Sequence, residues 1–150
     1  MYLKTLQIEG YKNFHSHFDI EFRRGLNVLV GENGVGKSAI IDAIRNLVQE
    51  DEFGRTGISE GDFYKPYDEN NSPAEKIQIS AVFGDLSQNE RVAFLPWTAL
   101  GDKAKLSLSI ENKTNNQGKY RRVIWGGVSK NSIFEWELLD LIQCTYLPPL

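Results

Sequence analysis

The sequence predicts an α/β fold in which a strand–loop–helix unit carries an antiparallel β-rich subdomain. Three observations predict it. A short apolar run, LNVLV (residues 26–30), leads through a glycine-rich loop into apolar residues at helical spacing. Segments on either side, such as HFDIEF and KIQISAVFGDL, alternate apolar and polar residues with the period of half-buried strands. The chain of 150 residues, 41% hydrophobic and 25% charged, has the composition of one globular domain.

In chain order, Leu3, Leu6 and Ile8 in YLKTLQIEG and Phe18, Ile20 and Phe22 in HFDIEF predict two antiparallel strands. Arg24-Gly25 predicts a turn. LNVLV, a short apolar run between turn residues, has the form of a strand buried on both faces and is expected to be central. From Lys37 the period changes: Ile40, Ile41, Ile44, Leu47 and Val48 predict a helix to residue 48. Residues 49–75, rich in Gly, Asp, Glu, Asn and Pro, read as a long surface loop.

KIQISAVFGDL predicts a further strand, and Ser87 with Glu90 forms a capping box that opens a short helix through ERVAFL. KAKLSLSIENK and KYRRVIWGG, joined by TNNQG, predict a hairpin. A second capping-box pattern, Ser132 with Glu135, precedes Ile133, Phe134, Leu138, Leu141 and Ile142, a helical spacing to about Gln143. CTYLPPL ends strand-like and is then broken by two prolines. The expected division is a strand, glycine-rich loop and helix over 26–48, with the β-rich subdomain built from 1–22 and about 76–128.

Composition excludes several classes. No run approaches the ~20 apolar residues of a membrane span, and the charged N-terminus lacks the apolar centre of a signal peptide. No membrane partner is expected, and the cytoplasm is the expected compartment. The single cysteine, Cys144, allows no internal disulfide and no cysteine-based zinc site, and core packing is its expected role. The Asn-x-Ser/Thr triplets at Asn70 and Asn112 matter only in a secreted protein. Net charge is −3, with nine acidic against four basic residues over 51–100, so no segment forms a nucleic-acid footprint by charge alone.

Gly31-Glu32-Asn33-Gly34-Val35-Gly36-Lys37-Ser38 matches G-x-x-x-x-G-K-S/T, the P-loop or Walker A pattern, between a predicted strand and a predicted helix. Glycines let backbone N–H groups turn toward an anionic phosphate without side chains blocking its approach. The helix that follows adds its positive N-terminal end. In this pattern Lys37 is expected to bridge the β- and γ-phosphates of ATP and the Ser38 hydroxyl to hold Mg²⁺. The competing reading is a glycine-rich turn with a solvated lysine.

The flanks narrow this. MYLKTLQIEGYKNFHSHFDIEFRRGLNVLVGENGVGKSAIIDAI resembles the N-terminus of ABC-type ATPases of the SMC, RecF and OLD (overcoming lysogenisation defect) group. The likeness is close over residues 1–48 and thin afterwards. ISEGDFY (residues 58–64) and TYLPPL (residues 145–150) resemble OLD-family nucleases in particular. The resemblance implies the N-terminal lobe of an ABC-type P-loop ATPase domain with an incomplete core sheet. It implies a downstream Toprim nuclease domain beyond residue 150, heads that form a homodimer or higher oligomer, and DNA as a partner of the full-length protein, with roles in anti-phage defence or DNA repair. An SMC- or RecF-like DNA repair ATPase without nuclease activity is the alternative, and a nucleotide-binding fragment without turnover is a third.

Carried over residue by residue, the resemblance makes Gly31, Glu32, Asn33, Gly34, Val35, Gly36, Lys37, Ser38 and Ala39 the nucleotide cradle, and places Lys12 and Asn13 near the nucleotide. Asp62 would lie in a loop on the γ-phosphate side. As residues alone, Lys12 reads equally as a solvated charge and Asp62 as a turn former.

The rest of an ABC-type site is not evident. Asp85 ends an alternating strand without a following Glu, and Asp140 sits in a helical pattern, so neither fits a Walker B acid well. Trp125-Gly126-Gly127-Val128 is a turn rather than an LSGGQ-like signature. His15 and His17 would share a strand face, but no third metal ligand is evident. Lys119, Arg121 and Arg122 with Tyr120 and Trp125 form a basic-aromatic stretch, yet Arg121 and Arg122 point to opposite faces of a strand, which favours a structural hairpin. Walker B and nuclease residues are expected beyond the chain.

Overall fold

The computed structural model describes residues 1–49, 57–68, 70, 72–98 and 101–148. The alternating segments form one antiparallel sheet of five strands: β1 (Tyr2–Glu9), β2 (Phe18–Glu21), β3 (Lys76–Gly84), β4 (Ala104–Thr114) and β5 (Tyr120–Gly126), in the order β2-β1-β3-β4-β5. Directly opposed residues of antiparallel strands share a face, so the register Leu6↔Ala81↔Leu106 and Ile8↔Ile79↔Leu108 gathers one apolar surface. Leu6, Ile8, Ile77, Ile79, Leu106, Leu108 and Ile110 are all fully buried on it. Burying each such side chain contributes roughly 1.5–3 kcal/mol of transfer free energy. The other face carries Gln7, Gln78, Ser107 and Ser109 beside Val82, Val123 and Trp125, and Ser80 Oγ donates to Ser107 Oγ at 2.9 Å across β3 and β4.

Helix α1 (Lys37–Val48) covers the apolar face through Ala39, Ile40, Ala43, Leu47 and Val48. The two alanines, which the spacing of larger apolar residues did not single out, let the helix approach closely, while Ile41 is turned outward. The capping box of Ser87 and Glu90 forms as expected and starts α2 (Gln88–Ala93). A 3-10 turn at Leu95–Trp97 then lowers Trp97 onto β5, where Gly126 leaves room for its ring: a Cβ there would lie 2.0 Å from the indole Cδ1. In the hairpin tip, the Asn115 side-chain oxygen accepts from the N–H groups of Gln117 and Lys119.

Three expectations are corrected. LNVLV is not a central buried strand: residues 26–30 join no sheet, and Leu26, Val28 and Val30 are 91%, 71% and 87% exposed. A strand buried on both faces needs a neighbour on each side, and among the described residues no strand runs beside it. The second capping box does not form: the helix starts after Glu135, which caps it without a side-chain hydrogen bond, and the Ser132 hydroxyl donates to the Ser129 carbonyl at 2.7 Å. Phe134 is drawn onto Trp97, with ring centroids 5.5 Å apart, so only α3 (Trp136–Leu139) is helical and Ile133 is exposed. Residues 144–148 form no strand; Tyr146 instead stacks under the Arg45 guanidinium, 3.9 Å away, and Gln49 donates to the Cys144 carbonyl. Pro149 and Leu150 lie outside the described residues, as do residues 50–56, 69 and 71 of the expected surface loop. The described part of that loop has a 3-10 turn (Glu60–Asp62) and buries Phe63, so it is partly core.

Candidate nucleotide-binding site

The loop before α1 takes the shape its glycines permit. Gly34 and Gly36 hold φ of 88° and 105°, left-handed values that side-chain-bearing residues avoid. Gly36 is the N-cap of α1 and therefore offers no side chain to the N–H groups of the first turn, which also contains no acidic residue. Those N–H groups and the positive end of a 12-residue helix remain for an outside acceptor. This donor set fits a phosphate group.

Lys37, the first helical residue, folds its ammonium back over the loop and donates to the carbonyls of Gly31 at 2.7 Å and Glu32 at 2.6 Å. That places a positive charge at the loop rather than in free solvent, against the reading of a merely solvated lysine. Ser38 is exposed in the first turn, Ala39 is buried beneath it, and Glu32, Asn33 and Val35 line the open outer side of the loop. Gly31 to Ala39 thus place one cation, Lys37, and one exposed hydroxyl, Ser38, at the loop and the first turn of α1.

Of the flanking candidates, Asn13 reaches the loop: its Nδ2 donates to the Gly34 carbonyl at 2.8 Å. The Lys12 ammonium turns instead to Asp42 of α1, at 2.6 Å, and lies 3.7 Å from Asp62. Burial opposes the Lys12 charge, but the Asp42 hydrogen bond and the neighbouring charges outweigh it and raise the lysine above its ordinary value. Burial also raises the Tyr11 hydroxyl, which accepts from Asn46 of α1 at 3.1 Å. Asp62 uses one carboxylate oxygen to accept from the N–H and hydroxyl of Ser59, closing its own capping box. It is a turn former that also faces Lys12.

The other candidates are dispersed. Asp85 stands at a left-handed φ of 56° in an exposed ion pair with Arg24, and Asp140 caps α3 at the surface. His15 stacks on Tyr64 with centroids 4.6 Å apart, whereas His17 bonds Asp19 at 3.1 Å; neither lies in β2, so they share no strand face. Among the described residues no group of three or more His, Cys, Asp or Glu is placed to hold a metal ion. Arg121 is exposed, while Arg122 pairs across from Ile110 on the core face, as expected of a structural hairpin. Lys130 lies over the Trp125 ring at 5.5 Å. Cys144 is half-buried against the core, and burial raises its thiol.

Sequence reasoning missed Asp42 and Phe14. Asp42 lies 30 residues from Lys12 and nothing local links them. Phe14 packs under Gly36, where a Cβ would stand 3.0 Å from its Cζ. The pairing of a small residue with an aromatic was present in the sequence, without any signal that the two meet.

Comparison with known proteins bears on the family and the fold. A chromosome partition protein Smc of Fusobacterium nucleatum is 35% identical over 83 residues, covering 55% of this chain and 7% of that relative. A solved SMC ATPase, described for ATP-driven dimerization and DNA-stimulated activation, superimposes with a TM-score of 0.59 at 22% identity, covering 93% of this chain and 76% of the other. The Smc head domain with a coiled coil and joint from Pyrococcus yayanosii gives a TM-score of 0.61 at 24% identity, covering 93% and 25%. The fold is therefore like that of an SMC ATPase head, a P-loop fold bearing an antiparallel sheet. With the model of the AAA ATPase domain matched over residues 1–132, the chain belongs to that family.

Proposed function

We propose that Gly31–Ala39 binds ATP with Mg²⁺ and that this chain is the nucleotide-holding lobe of an ABC- or SMC-type ATPase head. The observation that carries the reading is the uncapped, acid-free N-terminus of α1 beneath a loop with two left-handed glycines, with the Lys37 ammonium folded over it. In this reading backbone N–H groups of the loop and first turn hold the phosphate chain. Lys37 exchanges its two carbonyl partners for phosphate oxygens. Ser38 supplies a hydroxyl to Mg²⁺, which when bound neutralises phosphate charge and holds the chain in one conformation.

Because the chain spans 7% of its Smc relative, hydrolysis, head pairing and DNA belong to the proposal for the whole protein. There, ATP would draw two heads into a homodimer or higher oligomer, with DNA as the regulated partner. No described helix is long and apolar enough to cross a membrane, and the cytoplasm is the proposed compartment. A second reading, supported by the phrases ISEGDFY and TYLPPL, is that ATP controls an OLD-like DNA endonuclease. Mg²⁺-dependent cleavage of DNA by the full-length protein would favour it; ATP turnover without cleavage would favour the SMC- or RecF-like reading.

Titration of the chain with a fluorescent ATP analogue, beside a phosphate-release assay, tests the core of the proposal. Lys37→Ala is expected to weaken binding by at least about tenfold, the equivalent of ~1.4 kcal/mol. Equal binding by wild type and Lys37→Ala refutes the assignment. Binding without turnover identifies a nucleotide-holding fragment, and turnover lost in Lys37→Ala identifies an ATPase in its own right.

A further inference from the structure

We propose that the turn Tyr11–Phe14 is a brace that sets the shape of the phosphate loop, with Asn13 as its positioning residue. The proposal rests on the reading of Gly31–Ala39 as a nucleotide cradle and deepens it.

The turn is closed on itself by two backbone hydrogen bonds, Tyr11 N–H to the Phe14 carbonyl at 3.0 Å and Phe14 N–H to the Tyr11 carbonyl at 2.8 Å. Within it Lys12 holds a left-handed φ of 47°, which a non-glycine residue keeps only where its surroundings over-determine it. They do so here from two sides. The Lys12 N–H donates to the Asp62 carbonyl at 2.8 Å, and the Tyr64 N–H donates to the Gly10 carbonyl at 2.9 Å, tying the turn to residues 62–64. The Lys12 ammonium and the Tyr11 hydroxyl tie it to Asp42 and Asn46 of α1. Tyr11 and Phe63 beside it are both 1% exposed, so the base of the turn is packed on every side.

From this fixed base two groups reach the phosphate loop. The Phe14 ring lies against Gly36, and the Asn13 amide donates to the Gly34 carbonyl at 2.8 Å. In a planar trans peptide the carbonyl and the following N–H point opposite ways. By holding the Gly34 carbonyl toward itself, Asn13 turns the Val35 N–H to the other side, where it is free to meet an anionic oxygen. Asn13 thus acts through the loop backbone, not on the nucleoside. Any displacement of residues 62–64 or of the middle of α1 would reach the loop through the same turn.

Two measurements on Asn13→Ala test this. Backbone amide shifts and hydrogen exchange, recorded by NMR without nucleotide, are expected to change at Gly34–Gly36, with faster exchange there and unchanged amides in β1, β3 and β4. Affinities for ATP and for inorganic tripolyphosphate, which shares only the phosphate chain, are expected to fall by one common factor of about 3 to 10. Unchanged loop amides overturn the proposal, as do unchanged affinities. A loss confined to ATP also overturns it, by showing direct contact with the nucleoside. If Lys37→Ala binds ATP as well as wild type does, the nucleotide reading fails, and the amide measurement alone still decides whether Asn13 braces the loop.

Discussion

Gly34 and Gly36 offer a paired experiment on what the glycine loop before α1 costs the fold. Both have left-handed φ, 88° and 105°, so an alanine at either position bears backbone strain of about 1–2 kcal/mol. Replacing glycine also restricts the unfolded chain, which returns about 0.4–1 kcal/mol. At Gly34 nothing lies within 4 Å of the added Cβ, so the net loss for Gly34→Ala is the small remainder, at most about 1.5 kcal/mol. At Gly36 the Cβ meets Phe14 Cζ at 3.0 Å and Cε2 at 3.3 Å. Phe14 is 9% exposed, and its turn is fixed by hydrogen bonds at both ends, so the ring has little room to retreat. Overpacking of this kind adds roughly 1–3 kcal/mol. For a chain of this size that is a difference between the two variants of roughly 2–12 °C in Tm, at about 2–4 °C per kcal/mol. Thermal unfolding followed by circular dichroism without nucleotide reads it directly. If Gly36→Ala and Gly34→Ala melt together, Phe14 does not support the loop and the packing argument is wrong.

Other substitutions probe separate parts of the molecule. Leu108→Ala empties a fully buried site in β4 and should cost about 2–5 kcal/mol in urea unfolding, against little change for a variant of the exposed Val92. Glu90 is lowered from its ordinary value, first by the Ser87 backbone hydrogen bond and then by the N-terminal ammonium. Its contribution is therefore complete above the ordinary glutamate range and fades as pH falls through its lowered value. The stability gap between wild type and Glu90→Gln should be constant near neutrality and shrink in acid; a gap independent of pH would refute the linkage. Asp85→Asn, which breaks an exposed pair with Arg24, should alter stability by less than about 1 kcal/mol and leave ATP-analogue affinity unchanged. A large loss of affinity would reinstate Asp85 as a site acid.

Local chemistry was legible wherever the cause was itself local. The alternation in KIQISAVFGDL and KAKLSLSIENK specifies both the strands and their buried face, because period two is a property of the extended chain. Ser87 and Glu90 meet because they are three residues apart, and the hairpin closes where Asn115 can reach its own neighbours. The same capping pattern at Ser132 and Glu135 misled, since the Ser132 hydroxyl turns back to the Ser129 carbonyl and Phe134 between them stacks on the Trp97 ring. LNVLV misled for the opposite reason: its composition describes a strand between two others, and composition carries no information about whether those neighbours are present.

The shape of the glycine loop before α1 was legible in sequence alone. Glycines at fixed offsets, a lysine and a hydroxyl at the start of a helix specify its shape through dihedral freedom and the geometry of one turn, all within nine residues. What holds that loop was decided only by the tertiary structure. The Asn13 to Gly34 bond spans 21 residues, and the Lys12 to Asp42 bond spans 30. No propensity or spacing rule connects such distant positions. They meet because burial of Tyr11, Phe63 and the alanine face of α1 against one sheet leaves the turn nowhere else to go.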